Sequence, residues 1–317
     1  MLNLITDDEL KTHECLERVD KHTDPEIMAF KRRARLKQAL WREGKRFDIG
    51  TQPTRPKEGQ PSRPLGSRIP FEFAKDTKAN FLTKKVREAV QYRIEHPEHH
   101  QMLKEDRLYC DLLSSMPMCF NLFGSLYGDM DAADKAIHSW WEDVPGRVSA
   151  MRFEWSPGRL LQGEYLENRS AFDVAFELTL TNGTYGILGV ETKYHEDCKR
   201  EKIPRDDRLR RYKEVTDKSG AFEPEACNTI LGTNLQQIWL DHLLALSMVQ
   251  HTSHKWSWAK FVLVYPARNI SYARATENYT KILKDSSTFG VSTIESLLQA
   301  NQLSTENTEA FKERYLW

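Results

Sequence analysis

Residues 171–194, AFDVAFELTLTNGTYGILGVETKY, constrain the fold more than any other stretch. Two runs enriched in β-branched and aromatic residues flank Thr181-Asn182-Gly183. An Asn-Gly pair between such runs is a strong signal for a β-hairpin. The two strands then run antiparallel, so the start of the first lies beside the end of the second. Side chains alternate across a strand with a period of two. Glu191 and Lys193, near the end of the second strand, therefore share a face. Asp173, near the start of the first, is brought next to them. A pattern of D-x17-E-x-K becomes a three-residue cluster.

The surrounding sequence extends the sheet. VSAMRFEW (148–155) is strand-like, and KFVLVYP (260–266) is a short apolar run ending in proline, the pattern of a buried strand. Residues 232–250 have helical periodicity, and helices are expected at about 273–285 and 292–300. The order of strands, helix, strand and helix predicts an α/β core over residues 146–317. Residues 1–145 read as a mainly helical N-terminal region. Helices are expected over 7–22, over 25–44 with Pro25 at the start and Gly44 at the end, and over 80–113 with a break at His96-Pro97. An amphipathic helix over 131–143 takes Asp131 as its N-cap. The segment SSMPMCFNLFGSLYGD, punctuated by Pro117 and Gly124, reads as a core-packing turn. The Pro-rich loop 51–70 reads as an extended connector, whose basic side chains could also touch a phosphate backbone.

Of the 317 residues, 39% are hydrophobic and 29% charged, which supplies a sizeable core in an ordinary globular composition. No apolar run reaches the length of a membrane span, and the N-terminus lacks a basic-then-apolar signal pattern. The expectation is a cytoplasmic protein with no membrane partner. The five cysteines are scattered, with no C-x-x-C pair, so neither a disulfide framework nor a zinc knuckle is signalled. Lys plus Arg and Asp plus Glu both number 46, giving no net charge. A nucleic-acid binder usually carries a basic excess, but here the charges segregate. Residues 30–46 and 198–213 are basic, and acids gather in 1–26 and 295–313.

Two carboxylates side by side in a sheet repel each other and need a compensating charge. Magnesium suits the position, because it is commonly held by one or two carboxylates together with water and substrate phosphate. A neighbouring lysine can position or deprotonate a water, or stabilise developing negative charge. These are the needs of phosphodiester hydrolysis. The same residue types could form a cross-strand ion pair on a solvated face. The apolar run Ile187-Leu188-Gly189-Val190 leading into Glu191 favours the functional reading.

Asp173 followed by Glu191-Thr192-Lys193 after a hairpin resembles the PD-(D/E)xK nuclease superfamily signature. The strings SSMPMCFNLFG, FEWSPGR, SAFDVAFE, GVETKYHE and QQIWLDHLLA, in this order, resemble a bacterial branch of restriction-endonuclease-like proteins of that superfamily. The resemblance spans roughly residues 30–300. Phe172 stands where the signature's name has proline. The resemblance implies a restriction-endonuclease-like mixed β-sheet flanked by helices, with Asp173 and Glu191 binding the metal and Lys193 as the catalytic lysine. Mg²⁺ is the expected metal, with Mn²⁺ substituting.

Auxiliary candidates are Glu154, Glu177, Glu196, Gln236 and Gln237; for Glu154 an ion pair with Arg159 is the alternative. His195 shares the parity of Glu191 and Lys193 but reads as structural. Basic candidates for nucleic-acid phosphates are Lys199, Arg200, Arg205, Arg208, Arg210 and Arg211, and also Lys31, Arg32, Arg33 and Arg35; a solvated helix face is the alternative for both groups. The implied activity is an endonuclease on DNA in restriction or defence against foreign DNA, with a homodimer and separate defence-system proteins as partners. A nuclease for RNA or for branched or damaged DNA, and a non-catalytic nucleic-acid-binding protein, are the competing readings.

Overall fold

The structure, a computed structural model, describes residues 4–52, 62–98, 100–101, 103–161 and 164–317. One mixed sheet contains β1 (Arg147–Trp155), β2 (Phe172–Thr179), β3 (Tyr185–Thr192), β4 (Trp256–Tyr265) and β5 (Phe289–Thr293), in that spatial order. The first three strands are antiparallel neighbours, while β4 runs parallel to both β3 and β5. The β2–β3 turn forms at the Asn-Gly pair: Gly183 has φ +78°, which an L side chain rarely adopts, and the Asn182 side chain accepts from the Thr184 amide.

Helices before the sheet are α1 (Asp7–Thr12), α2 (Pro25–Gly44), α3 (Phe71–Thr77), α4 (Lys84–Glu95), α5 (Glu105–Cys110), α6 (Ser115–Phe123) and α7 (Met130–Trp140). Between β3 and β4 come α8 (Asp206–Ser219), α9 (Ala226–Ile230) and α10 (Gln236–Val249). Then α11 (Ile270–Thr280) joins β4 to β5, and α12 (Ile294–Gln299) and α13 (Thr305–Tyr315) follow. The mixed α/β architecture agrees with a restriction-endonuclease-like fold.

Strand alternation sorts the sheet's side chains into two buried layers. Val174, Phe176, Leu178, Leu188, Val190, Val262 and Val264 pack on α4, α6, α7, α12 and α13. Ala175, Ile187, Phe261 and Leu263 pack on α8, α10 and α11.

Several elements differ from the expectation. The helix expected over 7–22 stops at Thr12. The 80–113 helix breaks at His96-Pro97 as expected, but beyond the break only Glu105–Cys110 is helical. Segment 114–129 contains helix α6 where a turn was expected, because Pro117 lies in the first helical turn, where no amide is needed for the helix ladder. Helix α7 is capped by Asp129, not Asp131, through a bond to the Ala132 amide. Strand β5 occupies residues read as connector and helix. In the connector 51–70, Gly50–Thr51 pairs with Pro64–Leu65 as a short ribbon; its residues 53–61 lie outside the described residues.

Candidate active site

The β2–β3 register pairs Val174 with Val190. One step further, Asp173 stands opposite Glu191, at the point where the ladder ends. There the Asp173 carboxylate takes over as acceptor: its Oδ2 receives the Thr192 amide at 2.8 Å and the Thr192 hydroxyl at 2.7 Å. Among the described residues, none donates a hydrogen bond to Oδ1. The Thr192 hydroxyl also lies 3.4 Å from the Ser115 carbonyl of α6, so the helical region buttresses the carboxylate from behind. Lys193 is buried and its Nζ donates to Glu191 Oε1 at 2.7 Å. The Lys193 ammonium also sits 6.0 Å from the Tyr272 ring.

Glu154 lies between two paired positions of β1, Phe153 with Val174 and Trp155 with Phe172, and thus in line with Asp173 and Glu191 across the sheet. Its φ is +50°, a left-handed conformation costing a non-glycine residue about 1 kcal/mol or more. Its carbonyl accepts from Arg93 and Arg159, and these two side chains hold the strained strand residue. The pairing with Arg159 is to the Glu154 carbonyl; the Arg159 Nε and Nη1 atoms are buried without partners.

Burial sets the electrostatics. It raises the Asp173 carboxyl despite Lys193 and the two Thr192 bonds. Burial, then Asp173, raises Glu191, with Lys193 opposing. Burial and Asp173 push Glu154 up to about 7. Asp241 of α10 is also pushed up to about 7, by burial and by Asp173 and Glu201 against Lys193. For Lys193, burial acts downward, but Glu191, Tyr272 and Asp241 outweigh it and hold the ammonium charged. Several carboxyls thus face one buried lysine.

That excess of acid, with Asp173 Oδ1 unused, is the donor chemistry a hard divalent cation takes. Among the described residues, no three His, Cys, Asp or Glu side chains gather closely enough to hold a metal by themselves. A cation here would therefore rest on Asp173 and Glu191, with its remaining positions outside such a cage.

The other sequence candidates fall in different places. Glu196 accepts from the Tyr194 amide, from the Ser115 amide and hydroxyl, and from Arg107. Burial would raise its carboxyl, but Lys193, Arg107 and the Tyr194 amide leave it below the usual range. Glu177 pairs with Arg152 and lies four residues along β2 from Asp173, too far to join it. His195 is buried against Asp20. Gln236 ties the preceding loop together, through Lys202 O and the Gly232 amide, and does not face the carboxylates. Gln237 is half-buried, and its side chain has no hydrogen-bond partner among the described residues.

Lys31, Arg32 and Arg35 are buried on Asp197, Asp7 and Asp20, which corrects the expectation that they form a phosphate-binding surface; of that group Arg33 is exposed. Lys199, Arg200, Arg205, Arg208 and Arg210 are exposed on or just before α8, while Arg211 is engaged with Tyr165 O and Glu214.

Asp241 was missed in the sequence, although it is the sole acid on the otherwise apolar helix QQIWLDHLLALSMV. Arg107 was missed as well. It acts electrostatically on Asp173, Glu154 and Glu196, and no feature of its sequence neighbourhood announces it.

A comparison with curated proteins and one with solved structures give no match. A family model described as the PD-(D/E)XK nuclease superfamily matches residues 22–317, a span that takes in the helices that buttress Asp173 as well as the sheet that carries it. The chain belongs to the PD-(D/E)XK nuclease superfamily.

Proposed function

We propose that the protein is a metal-dependent endonuclease hydrolysing phosphodiester bonds of DNA, with Asp173 and Glu191 holding Mg²⁺ and Lys193 as its catalytic lysine. The observation that carries the reading is the end of the hairpin, where Asp173, fixed by Thr192, faces Glu191 and its partner Lys193. Mg²⁺, or Mn²⁺ in its place, would supply a more acidic water and charge neutralisation on the phosphate.

The chain's own residues supply the rest. Thr192 fixes the Asp173 carboxylate through two bonds to one oxygen, leaving the other for the cation. The Lys193 ammonium is held charged by its acidic neighbours. Its role is therefore to donate hydrogen bonds and to stabilise negative charge as it develops on phosphate oxygens. The exposed Lys199, Arg200, Arg205, Arg208 and Arg210 would neutralise neighbouring backbone phosphates and give affinity without sequence information. DNA as substrate, a role in restriction or defence with separate partner proteins, and a homodimer for cutting both strands rest on the resemblance of the sequence motifs. A cytoplasmic location belongs to the same proposal.

The test is incubation with supercoiled plasmid and Mg²⁺ or Mn²⁺, beside Lys193→Ala and an EDTA control, with single-stranded DNA and RNA run in parallel. Metal-dependent nicking or linearisation is expected, reduced about 10²–10⁴-fold in Lys193→Ala. Undiminished cutting by that variant would refute the assigned site.

A further inference from the structure

We infer that Arg107 is a second cation of the reaction centre and binds a phosphate of the nucleic-acid strand beside the one being cut. The inference rests on the nuclease reading for its substrate, but on separate residues for its geometry.

Arg107 belongs to α5, in the helical region, yet it is wired to both halves of the catalytic group. Its Nη2 lies 3.3 Å from the Ser115 hydroxyl, and the Ser115 carbonyl meets the Thr192 hydroxyl that bonds Asp173. Nη2 also lies 3.4 Å from Glu196 Oε1, and Glu196 Oε2 receives the amide of Tyr194, the residue after Lys193. Nε donates to the Ser114 hydroxyl at 2.7 Å, so the guanidinium plane is fixed. Nη1 has no partner among the described residues, and the side chain remains 43% exposed.

Arg107 lines a cavity of about 480 Å³ together with Ser114, His195, Glu196, Arg35 and Arg68. The other two arginines are committed: Arg35 to Asp20, and Arg68 to Asp106 and Asp111. Glu196 does not consume Arg107 in the same way. Its oxygens take the Ser115 hydroxyl and the Tyr194 amide at 2.9 Å each, while its contacts with the Ser115 amide and with Arg107 are both longer, at 3.4 Å. An oriented guanidinium lining a cavity with His195 and Glu196, the residues that follow Lys193 and Tyr194 in the chain, offers the planar fork that phosphate oxygens accept.

The test uses the full chain with Arg107→Gln and Arg107→Lys. Binding of a fluorescent single-stranded oligonucleotide is measured with Ca²⁺ against salt concentration, and cleavage with Mg²⁺ is resolved into kcat and KM. Arg107→Gln is expected to flatten the log–log salt slope by about 0.7, the loss of one phosphate contact, and to lower kcat/KM about 10²-fold. Arg107→Lys is expected to keep the slope while recovering only part of kcat/KM, because the ammonium lacks the fork. It also serves if the glutamine variant fails to fold. Wild-type cutting with an unchanged slope and unchanged kcat/KM in both variants would overturn the phosphate role and leave the nuclease reading standing. Oligonucleotide binding whose slope depends on Arg107, without cutting by the wild type, would support the subsite while the nuclease reading fails.

Discussion

Asp173 is held in place by its neighbour's amide and hydroxyl, so its position does not depend on its charge. Asparagine can accept the same two bonds from Thr192 through its carbonyl oxygen. What Asp173→Asn removes is a negative charge from a buried setting that raises the carboxyl of Asp173 itself and adds to the shifts of Glu191, Glu154 and Asp241. The variant should therefore be more stable than the wild type in EDTA, with Tm rising by roughly 2–4 °C per kcal/mol of repulsion relieved. It should also bind Mn²⁺ more weakly. Differential scanning fluorimetry with and without Mn²⁺, together with calorimetric titration, checks both halves. A lower Tm in EDTA with undiminished Mn²⁺ affinity would remove Asp173 from the metal site.

At the scale of elements, what the sequence revealed followed the range of the interactions that decide each structure. Helix α2 runs from Pro25 to Gly44 as expected, because Asp24 caps it through the Glu26 and Ile27 amides and Pro25 suits its first position, both local effects. The hairpin was legible for the same reason, and with it the adjacency of Asp173 and Glu191. Strand β5 was not legible: it is short, largely half-exposed, and defined by pairing with Phe261 and its neighbours, far away in the chain. Asp241 and Arg107 reach the carboxylates only because α10 and α5 pack there. The basic run of α2 read as a phosphate-binding surface, or otherwise a solvated face, because its partners Asp7, Asp20 and Asp197 lie on other segments.

Helix α10 also carries a test of its own. His242 is fully buried between the Tyr279 hydroxyl and the Thr288 hydroxyl, and burial lowers its pKa from 6.5 to about 3. Between those values the unfolded chain binds a proton that the folded chain refuses, so this group's effect is to lower stability as pH falls from about 6.5 toward 3. Glu154 and Asp241, raised to about 7, act in the opposite sense over an overlapping range. The informative quantity is therefore the difference between wild type and His242→Asn. At pH 7 the variant should be less stable. By pH 5 that gap should shrink by about 2 kcal/mol, 1.5 pH units at 1.36 kcal/mol each. Urea titrations at the two pH values measure it, and a constant gap would mean that His242 is protonated in the fold.

Across the whole molecule, the helical region 1–145 and the sheet-bearing region 146–317 share one buried layer. Phe123 of α6 packs edge-on against Phe176 of β2, and Phe120 stacks on Phe153 of β1. The chain's end is sewn into the same layer by Arg314, which has no exposure. It donates to Gln38 of α2 and to the carbonyl and side chain of Asn80, lies within 5 Å of the Trp41 and Tyr315 ring centroids, and pairs with no carboxylate among the described residues. Gln38 in turn donates to the hydroxyl of Tyr194, the residue after Lys193. Removing the guanidinium leaves Gln38 Oε1 and Asn80 Oδ1 without their donor and opens a cavity beside two rings. Arg314→Ala should cost about 2–4 kcal/mol. The connected layer predicts how that loss is distributed. Calorimetry and tryptophan fluorescence should each show a single transition, lowered by the same amount, because α2, α13 and the strand leading to Lys193 come apart together. Two separated transitions, with only one of them moved by Arg314→Ala, would show instead that the helical and sheet-bearing regions melt independently.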